Sequence, residues 1–153
     1  MSAFELYLTL HIFAAVIWVG GGFTLQLAYR LAFQSADPGP RVFLGNAAEW
    51  IGQRFYLGSS IALLVTGFLM ISEADISVGD GWILFGLAVI VASAAVGAGY
   101  LGPESGRLGK LMEAKGPDDP EVIDRVKRLL LISRIELVFL FLVLADMVAK
   151  PGA

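Results

Sequence analysis

Four stretches, approximately residues 6–29, 55–73, 82–101 and 129–149, stay apolar over a length that fits few surroundings other than a lipid bilayer. The hydrocarbon core of a bilayer is about 30 Å thick and takes roughly 20 mostly apolar residues as a helix. Backbone amides in lipid have to be paired within their own segment, and no stretch here alternates residue by residue as a barrel strand does, so each is read as an α-helix. Composition agrees, since 57% of the residues are hydrophobic and only 16% are charged, against about a quarter charged in soluble domains. The expected fold class is therefore all-α: a polytopic membrane protein, a four-transmembrane-helix bundle forming a single transmembrane domain over residues 1–153.

The basic residues divide the connections between these helices. Arg30, Arg41 and Arg54 flank the first; Arg107, Lys110, Lys115, Arg125, Lys127 and Arg128 occupy the third; the second, Ser72 to Gly81, holds Glu73, Asp75 and Asp80 without a Lys or Arg. Connections rich in Lys and Arg stay on the cytoplasmic side. Both termini are thus expected outside, in a bacterial cytoplasmic (inner) membrane. The apolar run after Met1-Ser2-Ala3-Phe4-Glu5 is too long for a signal-peptide core, and it is read as a retained first helix. A net charge of -3 argues against nucleic acid as a partner. The absence of cysteine excludes disulfides, thiolate metal sites, iron–sulfur clusters and thioether-attached haem.

Ser35-Ala36-Asp37-Pro38-Gly39-Pro40 reads as a turn, followed by an interfacial helix over about 41–54 that runs into the second span. Residues 102–128 read as a cytoplasmic loop, near whose end Asp119 and Pro120 open a helix that continues into the fourth span. Trp50 and Trp82 fall at opposite interfaces. Gly58, Ala62 and Thr66 recur at four-residue spacing, as do Ser93 with Gly97 and Ala94 with Ala98; such faces let helices approach closely and imply no site. Gly20-Gly21-Gly22 is read in the same way, not as a phosphate cradle.

Ionisable residues inside a span are costly and normally turn toward the bundle interior. His11, the sole histidine, and Asp146 lie near the outer ends of the first and fourth helices, whereas Arg134 and Glu136 lie near the inner end of the fourth. Asp146, Arg134 and Glu136 are read as structural polar residues. Three- and four-residue steps place His11, Ala14, Ala15, Trp18, Gly22 and Leu25 on one helix face. That face is a groove of small residues closed by an indole and headed by an imidazole. A flat macrocycle such as haem b suits it, with His11 on the iron and Met70, Met147 or the His11 of a symmetric partner as a further ligand. The bland account is a structural histidine bonded to Asp146 or to a carbonyl of a neighbouring helix.

His11, six intervening residues, Trp18 and then Gly20-Gly21 resembles the first-helix pattern of a bacterial membrane superfamily that includes the J-type protoporphyrinogen oxidases (HemJ) and the copper-resistance D-type proteins. It also includes an uncharacterised family of small four-helix predicted integral membrane proteins, which the chain resembles most. Thr66-Gly67 and Lys150-Pro151 also look like the group's pattern. The resemblance implies haem at His11. It carries no porphyrinogen oxidation, because those oxidases have further histidines and an Arg-x-x-Asn-Glu-x-Pro motif where this chain has only Ser133-Arg134-Ile135-Glu136. Two functions are therefore expected to compete: a haem- or porphyrin-binding membrane protein using His11, and a non-catalytic accessory subunit of a larger, for example respiratory, membrane complex. A homo-oligomer is compatible with either. No catalytic residue is assigned.

Overall fold

Ser2 starts the first helix with a capping box: its hydroxyl accepts the Glu5 amide at 3.2 Å, and the Glu5 carboxylate accepts the Ser2 amide at 2.8 Å. From there α1 runs without a break over Ala3–Gln34, roughly 48 Å at 1.5 Å per residue. Its end is set by a turn in which Ser35 and Asp37 side chains accept the amides of Asp37 and Gly39. The computed structural model describes residues 1–74 and 76–151, apart from the side chain of Gln53. Asp75 of the second connection lies outside the described residues, as does the end of the expected domain at 152–153.

The expected helix over 41–54 does run into the second span, but through an unforeseen π turn: α2 (Gly39–Ile51) passes through Gly52–Tyr56 into α3 (Leu57–Glu73), giving one rod over Gly39–Glu73. A second rod mirrors it, since α4 (Gly81–Val96) passes through a π turn (Gly97–Leu101) into α5 (Gly102–Lys115). The 102–128 loop is thus corrected to helix except for a short turn after Lys115. Pro103 does not end this helix. A proline has no N–H to donate and crowds the preceding turn, which ordinarily ends a helix; here the Gly102 amide reaches back to the Gly97 carbonyl, and the widened turn carries the helix past the proline.

Gly116, at φ 87°, closes α5 by donating its amide to Met112. Asp119 then caps α6 (Pro120–Ala149) by accepting the Glu121 amide at 2.8 Å, with Pro120 in the first turn, and the helix continues into the fourth span as the sequence suggests.

Four rods thus form an all-α membrane bundle, of which three are long and apolar enough to cross a bilayer by that measure alone. In α6 the apolar run is interrupted by Arg134, Glu136 and Asp146. Two cores hold the bundle. One, at the end carrying the long connections, gathers Tyr29, Ala48, Leu108, Met112, Val122, Val126 and Leu129; the other, toward the termini, gathers Ala14, Trp18, Val19, Leu63, Leu137 and Leu140. Outside the second core the surface is itself apolar, with Ile12, Phe13, Val16, Ile61, Val65, Phe68, Val91 and Phe141 exposed, the pattern of a surface solvated by lipid. The connection end is instead laced with charge. Glu104, buried, accepts Arg125 at 3.0 Å, and Arg125 also meets Glu121. Arg41, buried as well, pairs with Asp118, donates to the Ser35 carbonyl at 3.1 Å and lies over the Phe33 ring. Lys115 pairs with Glu121 at 2.7 Å, and that hydrogen bond and its charge lower the Glu121 pKa and raise that of Lys115.

Candidate functional site

His11 is half-buried between α1 and α3. Its Nδ1 lies 2.9 Å from the Thr66 hydroxyl, and that hydroxyl donates to the Ala62 carbonyl at 2.6 Å. With the hydroxyl hydrogen so committed, the imidazole is the donor in the first bond and its lone pair is left on Nε2. Gly67 supplies a flat floor: a Cβ there would stand 3.5 Å from the ring Cε1. Thr66-Gly67 is therefore the seat of the histidine, a role that the four-residue spacing of small residues did not disclose.

The residues grouped with His11 in the sequence part company in the structure. Ala14 and Trp18 are buried against Leu63, Leu137 and Leu140, with Ala15 packed beside them, so this part of the groove is filled by the protein's own side chains. Met70 lies a turn beyond Thr66 on α3, half-buried, and the Met147 methyl packs over Gly86 of α4. Asp146 is not the partner of His11; its Oδ2 is buried without a hydrogen bond among the described residues. Arg134 is exposed and Glu136 turns inward, as their two-residue separation implies.

An opening lies lower, at the level of the two π turns. A cavity of about 360 Å³ is bounded by Trp18 and Gly22 of α1, Gly52 and Tyr56 of one π turn, Gly97 and Ala98 of the other, and Ser93, Ser133 and Glu136 on the remaining side. Glycines make it possible. The Tyr56 ring lies on Gly21, where a Cβ would stand 3.0 Å from Cε1, and Gly22 faces Leu137. The close-packing role expected of the triple glycine is therefore performed by its second and third members, while Gly20 has open space around it. Gln26 ties α1 to α6 beside the cavity through bonds to the Leu130 carbonyl (3.0 Å) and the Ser133 hydroxyl (2.8 Å).

Polar chemistry converges on this space. The Glu136 carboxyl faces the Ser93 hydroxyl across the α4–α6 interface, and it is near enough to Tyr56 to act on it electrostatically. The Tyr56 hydroxyl is buried and has no hydrogen-bond partner among the described residues. Among the described residues no group of three or more His, Cys, Asp or Glu side chains is placed to hold a metal ion. Sequence reasoning puts Trp18 and Gly22 on one face of the first helix but does not connect Glu136 with them, passes over Tyr56 and gives Ser93 only a packing role. The available signal was Glu136 itself, together with the glycines at 97, 99 and 102 crowded before Pro103.

Residues 5–151 match the model of a family of predicted integral membrane proteins, DUF2269. The chain belongs to that family. The match supports the membrane family that the sequence resembled, and not the wider likeness to J-type oxidases or copper-resistance proteins. Neither the curated proteins nor the solved structures yield a match.

Proposed function

We propose that this DUF2269 member binds a small lipid-soluble molecule in the cavity between the two π turns, with Tyr56 and Glu136 as its polar anchors. The observation that carries this reading is the Tyr56 hydroxyl, buried at the cavity wall with no hydrogen-bond partner among the described residues. A buried hydroxyl left without a hydrogen bond costs about 1–3 kcal/mol, and a ligand's polar group would recover it. Concave, mostly apolar walls with a few converging polar groups are the ordinary form of a small-molecule site. Facing π turns support the same reading, since such turns gather at functional sites.

Trp18 lines the cavity and can report on it. In a Trp50→Phe/Trp82→Phe protein in detergent, 10-bromodecanol is expected to quench Trp18 fluorescence saturably. Gly97→Phe, which puts a ring where a Cβ meets nothing within 4 Å, is expected to abolish the saturable part with an unchanged circular dichroism spectrum. Quenching that rises linearly, and equally in both proteins, would refute the proposal.

His11 favours a second reading, haem ligation. Metal-bound imidazoles characteristically donate their other nitrogen to a fixed acceptor, and the bond to Thr66 supplies that arrangement. The groove of Ala14 and Trp18 does not fit a macrocycle, being filled by Leu63, Leu137 and Leu140. A haem would have to reach Nε2 from outside the α1–α3 pair. Since each chain has one histidine, bis-imidazole ligation requires two copies and predicts one haem per two chains. Titrating haemin into the purified protein and recording the visible spectrum decides it: a Soret shift saturating at that ratio and lost in His11→Ala supports ligation, and an unshifted band excludes it.

A further inference from the structure

Resting on the cavity reading, we infer that the ligand is a cationic amphiphile entering sideways from the bilayer. Among the described residues the walls carry the carboxyl of Glu136, set within the fourth span, and no Lys or Arg. Nearby cations are directed away from Glu136. Arg134 is exposed, Arg54 lies over the Trp50 ring at 4.9 Å, and Arg107 and Arg125 meet Glu104. A low-dielectric recess lined by charge of one sign concentrates the opposite sign. The Trp18 and Tyr56 rings in the same wall add aromatic faces of the kind that receive alkylammonium groups.

The route follows from which wall residues are exposed. Leu57, Ala98 and Pro103 belong both to the cavity wall and to the outer surface, and they flank the two π turns. The opening therefore lies between the two rods. Phe55 and Trp50 stand exposed beside it, 48% and 50% respectively, making an apolar rim at the depth where aromatic side chains meet headgroups. A molecule already dissolved in the leaflet can pass this rim tail-last, with its charged head leading toward Glu136 and its chain remaining in lipid. A water-borne solute would have to cross that apolar rim unaided.

The test uses the Trp18-only protein in uncharged maltoside detergent with three probes of equal chain length: 10-bromodecyltrimethylammonium, 10-bromodecanol and 10-bromodecanoate. Saturable quenching by the ammonium probe is expected at least tenfold tighter than by the alcohol, with the carboxylate weakest. Glu136→Gln is expected to erase that preference, with an unchanged circular dichroism spectrum showing that the variant still folds. If alcohol and ammonium bind alike before and after Glu136→Gln, the charge assignment falls and the cavity reading stands. If none of the three binds saturably, the cavity reading itself falls.

Discussion

Leucine in place of Gly109 is expected to pull α2 away from α5 and to cost about 3 kcal/mol or more, at or above the upper end of the usual penalty for overpacking. The two helices cross at Gly45 and Gly109 with backbone against backbone. A Cβ on Gly109 would stand 3.2 Å from both the Asn46 nitrogen and the Gly45 carbonyl carbon, and one on Gly45 would stand 3.2 Å from the Gly109 Cα. A flexible side chain could rotate out of the way; a helix backbone can only translate, and doing so opens the core around Leu108 and Met112. Gly20→Leu and Gly58→Leu are the controls, since a Cβ at either position meets nothing within 4 Å. They should be neutral, or stabilising by up to about 1 kcal/mol through helix propensity. Detergent unfolding in SDS followed by circular dichroism, with proteolysis of the 39–51 and 102–115 segments as a local readout, checks the set. Four indistinguishable midpoints would show that the crossing is not close-packed.

The second large effect contrasts two buried leucines. Leu108→Ala is expected to cost about 2–5 kcal/mol, whereas Leu63→Ala is expected to cost roughly half as much. Leu108 is fully buried among Met112, Val122 and Val126, on a helix whose outer face carries Arg107, Lys110 and Lys115. Its surroundings are water, so truncation forfeits transfer free energy as well as packing. Leu63 is buried among Ala14, Trp18, Leu137 and Leu140, behind a surface of exposed Ile61 and Val65. Lipid is as apolar as that core, and truncation forfeits only dispersion contacts. The same SDS titration orders the two variants; a larger loss at Leu63 would place the Leu108 core in lipid.

The sequence by itself determined the number of rods, their approximate spans and the Asp119-Pro120 start of α6, because run length and capping chemistry are local. The same holds for the opposed faces of Arg134 and Glu136. Tertiary structure decided which polar groups meet: His11 with Thr66, 55 residues apart, and Trp18, Tyr56, Ser93 and Glu136 around one cavity. It also decided that the chain passes Pro103 as helix, through a π turn that packs against the π turn of the facing rod. The physical reason is the solvent. In water the apolar stripe of a helix marks its inner face, but in a bilayer the lipid-facing side is equally apolar and the stripe disappears. Which face turns inward is then settled by where glycines let backbones and rings approach, as at Gly21 beneath Tyr56, Gly67 beneath His11 and Gly45 against Gly109. Those pairings lie far apart in the chain, and no local period encodes them.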